Sequence, residues 1–114
     1  MRPSRKEVTM KIDDVIVMFI IAMGQPDGDG FEYFPKLPRP FTENVMFKNR
    51  HNRIYFADFL RLRVNDQLRV ECWFITENEE QFYIELDDIK KTNPLLYVCI
   101  FTHIFDMIEN VKED

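Results

Sequence analysis

With 114 residues, 46 % of them apolar and 31 % charged, the chain is long enough for one domain with one core and too apolar for a disordered segment. Its longest apolar run, residues 15–23, falls well short of the ~20 residues a membrane helix needs, and the two aspartates that end "RPSRKEVTMKIDD" do not suit a signal peptide. The net charge of −5 is uneven: residues 36–70 carry eight basic and three acidic groups, a net +5, whereas residues 71–89 carry seven acidic groups and no basic one.

The first element in chain order is expected to be a helix over residues 4–23. "SRKE" has the form of a capping box, and Val8, Ile12, Val15, Ile16, Phe19 and Met23 recur at helical spacing before Gly24. Residues 15–21, rich in Val and Ile, would also suit a central strand. Residues 24–41 contain Gly24, Pro26, Gly28, Gly30, Pro35, Pro38 and Pro40, which predicts an extended connector.

From residue 42 the period changes to two, and an antiparallel sheet is expected over 42–89. After a short strand in "ENVMFKN" come "RIYFADFLRLRV", "LRVECWFIT" and "QFYIELDDI". Three-residue loops, "NDQ" and "NEE", would set Val64 opposite Leu68 and Glu77 opposite Gln81, placing every even residue on one face. That face is apolar apart from Asp58, Thr76 and Asp88. A last helix over 93–112 follows from Asn93 as N-cap, Pro94 at N1 and the stripe Tyr97, Phe101, Ile104, Ile108, Val111. The predicted class is α+β: a three- to four-stranded antiparallel meander on a C-terminal helix, with an N-terminal helix and a Pro/Gly-rich connector, in one domain.

Few residues suggest chemistry. "DGDG" opens like a calcium loop, but its fifth position is Phe31 and its twelfth Pro38, so an acidic turn is the better reading. "PKLPRP" contains a PxxP spacing that ordinary linker composition also explains. His103 lies three residues before Asp106 on the last helix, within hydrogen-bonding reach, yet neither it nor His51 has a nucleophile beside it. Cys72 and Cys99 lack zinc spacing and read as buried free thiols in a reducing cytoplasm. Neither an enzyme, a cofactor nor a metal site is expected. Glu71, Glu85 and Asp87 read as part of an ion-pair row with Arg61.

The odd-numbered sheet face carries the most information. Arg53, Tyr55, Phe59, Arg61, Arg63, Arg69 and Trp73 interleave rings with guanidinium groups, and Lys48 and Arg50 add charge at the edge. Bases stack on such rings while Arg meets phosphate, so this face suits a single-stranded nucleic acid. An ordinary covered interface would have the same composition.

Residues 48–112 resemble a PUR repeat. The resemblance rests on "NRIYFADF", with Arg53, Tyr55, Phe56 and Asp58 in the family's Arg-x-Tyr-Phe-x-Asp pattern, and on the closing "FDMIENVK" helix. It implies a four-stranded sheet followed by one helix, single-stranded DNA or RNA bound on the sheet, and a homodimer formed through that helix. The N-terminal helix, the connector and the acidic third strand depart from the pattern. Two functions therefore stand side by side. One is non-catalytic single-stranded nucleic-acid binding. The other is a small acidic protein-interaction module of inhibitor, immunity or anti-defence type, in which Glu77, Glu79, Glu80, Glu85, Asp87 and Asp88 meet a basic partner.

Overall fold

The computed structural model describes residues 11–112. The Ser4 capping box and the first part of the expected N-terminal helix lie outside the described residues. Within them the helix α1 spans Ile12–Met23, with Asp13 and Asp14 in its first turn, where negative charge suits the helix dipole. The amide of Lys11 donates to the Asp14 carboxylate, and Ile16, Phe19 and Ile20 form the buried stripe.

The stretch expected to be a connector is partly folded. Strands β1 (Gln25–Asp27) and β2 (Gly30–Tyr33) form a hairpin through a two-residue turn, with Asp27 opposite Gly30. Gly28 takes φ +62° at the first turn position, where a Cβ would be strained. Gly30 is required for another reason: a Cβ there would run into the Val64 carbonyl of the neighbouring strand. A short helix α2, Arg39–Thr42, follows, so only the residues between β2 and α2 remain a plain extended link.

β3 (Val45–Lys48), β4 (Ile54–Val64), β5 (Val70–Thr76) and β6 (Gln81–Glu85) complete a six-stranded antiparallel sheet of order β1-β2-β4-β5-β6. The eleven-residue β4 is its spine. Its second half pairs with β2 and its first half with β3, both on the edge away from β5. The sheet is thus larger than the three or four strands expected, because the Gly/Pro-rich stretch supplies two of them.

The expected register is corrected in two ways. The loops do have three residues, but they are 66–68 and 77–79. Asn65 closes its turn instead of occupying it: its Oδ1 accepts from the Gln67 and Arg69 amides. Thr76, in the strand as expected, closes a turn that starts one residue earlier than expected, and its Oγ1 accepts from the Glu80 amide. The β3–β4 turn is built alike, with Asn49 Oδ1 accepting from the His51 and Arg53 amides. Arg63 therefore faces Glu71, and Arg61 faces Trp73.

The second correction is a β-bulge between Phe59 and Arg61, where Leu60 has no partner on β5. One extra residue reverses the facing of everything before it. Phe59 lies opposite Phe74 and, with Tyr55 and Ala57, joins the core face. Ile54 and Phe56, expected in the core, are 54 % and 52 % exposed. Asp58, the misfit of the even set, points outward and accepts the Asn44 amide at 2.8 Å.

Residues 86–89, expected to continue the last strand, instead start the helix α3, Leu86–Thr92. Asp87 and Asp88 in its first turn and Lys90 and Lys91 in its last match the helix dipole at both ends. The final helix α4, Pro94–Lys112, starts as expected, with the Asn93 side chain accepting from the Leu96 amide. Leu62, Val64, Val70, Cys72 and Phe74 of the sheet form one core with Ile16 and Ile20 of α1, Leu86 and Ile89 of α3, and Leu96, Ile100 and Ile104 of α4. α1 packs on this face, so it does not cover the arginine-bearing face.

Leu68 and Glu79 sit at the last loop positions with φ 62° and 65°, a region costly to side chains other than Gly, Asn or Asp. Leu68→Gly should raise the unfolding free energy by up to about 1 kcal/mol, measured by urea denaturation, because relief of that strain outweighs the added freedom of the unfolded chain.

Candidate functional site

The outward face of the sheet has two halves, divided by the bulge. Above it lies an ionic network. Arg63 Nε donates to Asp27 Oδ2 at 2.9 Å, its Nη1 to Glu71 Oε1 at 3.3 Å, and its Nη2 to the Asp29 carboxylate and the Asp27 carbonyl. "DGDG" is thereby explained: its carboxylates hold an arginine on the next strand but one. These contacts push the Arg63 pKa further above its ordinary value, the bond to Asp29 contributing most.

Glu71 is the buried centre. Its Oε1 accepts from Arg63 and, at 2.9 Å, from Trp73 Nε1, while Oε2 accepts from Asn65 Nδ2 at 3.0 Å. Arg61 lies 3.2 Å from Glu32 and spreads its guanidinium over the Trp73 ring, 4.9 Å from the centroid. Trp73 also packs against Tyr83, and Arg69 donates to Glu85 at 2.9 Å. Arg61, Arg63 and Arg69 thus all have carboxylate partners, drawn from Asp27, Asp29, Glu32, Glu71 and Glu85.

Of the residues expected to bind nucleic acid, then, Arg61, Arg63, Arg69 and Trp73 are brought together, but as a salt-bridged surface. Tyr55 and Phe59 are not with them. Tyr55 stacks on Phe47 and touches Phe82, and Phe59 meets Phe74 edge-on, all on the core side. Arg53 is exposed at the far end of β4, beside the β3–β4 turn. In the "NRIYFADF" pattern, Tyr55 therefore faces the core while Phe56 and Asp58 face out.

The expected acidic strip separates into two groups at opposite ends of β6. Glu77, Glu79 and Glu80 lie in and beside the β5–β6 turn, and Asp87 and Asp88 begin α3, roughly 17 Å away for a five-residue strand. All five are exposed and none makes an ion pair among the described residues. Glu85 is the exception, held by Arg69.

Below the bulge the outward face carries an apolar patch, Met46 opposite Phe56 with Ile54 beyond it, flanked by Asp58 and by Lys48, which lies opposite Ile54. The even-residue parity of the sequence, which assigns Ile54 and Phe56 to the core, hides this patch. Beside it a groove of about 1100 Å³ runs between the first half of β4 and the β5–β6 turn.

The two histidines are apart from both halves. His51 is exposed in a turn, and His103 Nε2 pairs with the Tyr33 hydroxyl at 2.9 Å, not with Asp106. Burial lowers the His103 pKa, and Asp106 offsets part of that effect. The Tyr97 hydroxyl donates to Asp13 at 2.9 Å, and burial, reinforced by that bond, pushes its pKa up to about 12. Lys90 reaches the same carboxylate, so this cluster ties α1, α3 and α4 together. Cys72 and Cys99 are free thiols, Cys72 buried and Cys99 half-buried. Among the described residues, no His, Cys, Asp and Glu group could hold a metal ion, and no helix is long and apolar enough to cross a membrane.

No protein-family model matches the chain, and neither a curated protein nor a solved structure is found that matches it.

Glu71→Ala should cost about 3 kcal/mol in urea unfolding, because it strips Arg63, Asn65 and the Trp73 N–H of a buried acceptor at once. A histidine whose folded pKa is depressed binds its proton more tightly in the unfolded chain. Stability should therefore fall as pH drops from about 6.5 toward the folded value and level off below it. His103→Gln should flatten that part of the stability–pH curve.

Proposed function

We propose that the chain works by binding a protein partner in the cytoplasm, as a small acidic interaction module of the inhibitor or immunity type. The observation that carries this reading is the asymmetry of charge pairing around β5 and β6; the exposed Lys48, Arg50 and Arg53, which also lack ionic partners among the described residues, lie at the β3–β4 turn. The sheet arginines Arg61, Arg63 and Arg69 are neutralised within the fold, whereas Glu77, Glu79, Glu80, Asp87 and Asp88 are exposed without ionic partners among the described residues. Unpaired surface charge of one sign steers a partner of opposite sign and raises its association rate. The exposed apolar patch of Met46, Ile54 and Phe56 offers the desolvated contact that a charge pattern alone lacks.

Single-stranded nucleic-acid binding has two observations in its favour: the Arg61–Trp73–Tyr83 stack, whose rings suit base stacking, and the exposed Lys48, Arg50 and Arg53, which have no ionic partner among the described residues. A phosphate reaching the Arg61 and Arg63 guanidinium groups would have to displace Glu32, Asp27, Asp29 or Glu71, and would face carboxylates in excess of arginines. The charge balance favours the protein partner.

Capture of cytosolic proteins combined with carboxylate-to-amine cross-linking tests this. The expected outcome is cross-links from Glu77, Glu79, Glu80, Asp87 or Asp88 to lysines of one partner, with capture lost when all five are changed to Gln. Capture indifferent to the five changes, together with Trp73 fluorescence quenched by a mixed-sequence single-stranded oligonucleotide, would overturn it in favour of nucleic acid.

A further inference from the structure

β4 runs past the end of β5. Ala57 lies opposite Thr76, the last residue of β5, and the ladder stops there. The hairpin on the other edge fixes where the remaining backbone groups of β4 point. Asn49 donates to the Arg53 carbonyl, and antiparallel bonding alternates, so Arg53, Tyr55 and Ala57 direct their N–H and C=O groups toward β3. Ile54 and Phe56 then direct theirs the opposite way, toward the place where β5 would continue.

Nothing occupies that place among the described residues. The Thr76 amide donates to Glu80, and no turn or loop hydrogen bond reaches Ile54 or Phe56. Their N–H and C=O groups open into the groove beside the β5–β6 turn, and their side chains are exposed on the outward face with Met46. The charged residues that line the groove are Asp58, Glu77 and Glu80, all acidic and all exposed.

We infer that the groove takes an extended, basic segment of a partner protein, which adds a short strand to β4 beside residues 54–56. Main-chain bonds to Ile54 and Phe56 set its register, an apolar side chain covers Ile54 and Phe56, and a Lys or Arg meets Asp58, Glu77 and Glu80. The lining weighs against other occupants on charge: the three carboxylates repel a nucleic-acid backbone, and the net charge of −5 slows the approach of a second copy of this chain. This inference rests on the protein-binding reading and narrows it to one surface and one kind of ligand.

The test is to pan a phage-displayed library of short linear peptides on the intact chain and to map enriched peptides by amide hydrogen exchange. Enriched peptides should place Lys or Arg near apolar residues and slow exchange of the Ile54 and Phe56 amides by about tenfold or more. Phe56→Ser and the double change Glu77→Gln, Glu80→Gln should each weaken binding by about tenfold with Tm unchanged. Protection of the Tyr83 amide instead would place the peptide on the outer edge of β6 and overturn the inference, as would enriched peptides without basic residues or a library that yields no binder. Those results would leave the five-carboxylate cross-linking test untouched, so the two readings fail separately.

Discussion

The bulge at Leu60 is the constraint on which the rest of the structure depends. An unbroken β4 would carry Asp58 into the core among Phe and Leu side chains, and an unpaired buried carboxylate costs several kcal/mol. It would also leave Tyr55 and Phe59 on the open face. One unpaired residue removes both conflicts. Phe59 reaches Phe74, Tyr55 reaches Phe47 and Phe82, and Asp58 finds the Asn44 amide at the surface. The consequence is paid on the outward side, where Ile54 and Phe56 are left exposed. The apolar patch and the core packing thus have a single cause.

The half of β4 beyond the bulge obeys different physics. There the outward face is held by charge, with Glu71 at its centre and Arg63 reaching three carboxylate-bearing residues. Buried ion pairs stabilise little on balance, but they tolerate few alternative arrangements because each missing partner leaves a charge stranded. This network fixes the β1–β2 hairpin against β4 and occupies Arg63, while Arg61 and Arg69 pair with Glu32 and Glu85. The charge left free around β5 and β6 is then acidic, and the exposed Lys48, Arg50 and Arg53 of the basic residue 36–70 segment lie apart from it at the β3–β4 turn.

Much of the fold is legible in the residues because local signals and global packing agree. Asn93-Pro94 marks the start of α4 through capping chemistry, and the alternation of 61–64, 70–75 and 81–85 marks strands with one buried face. The turns "NDQ" and "NEE" each lie one residue from the observed loops, since Asn65 acts as the acceptor that closes its loop and not as a left-handed loop residue, and Thr76 closes the second loop before Asn78. The bulge left a trace in Asp58, the one charged residue in the middle of an apolar set, but a parity rule applied to the whole strand hides it. The β1–β2 hairpin was hidden by Pro26 and three glycines: Pro26 sits in the outermost strand, where a missing N–H is tolerated, and Gly30 is needed for the approach to Val64. The start of α3 was lost because "ELDDI" fits a strand by period, and only the charge order Asp87, Asp88, Lys90, Lys91 favours a helix.

The most direct test of this account is the pattern of cross-strand NOEs between β4 and β5 in solution. The bulged register predicts contacts of the Phe59 ring with the Phe74 ring and of the Arg61 side chain with the Trp73 indole, with Phe56 showing none to the core. Contacts of the Leu60 side chain with the Phe74 ring, and of the Phe59 ring with Ile75 on the outward face, would mean that β4 is regular throughout, and would remove both the apolar patch and the groove's proposed role.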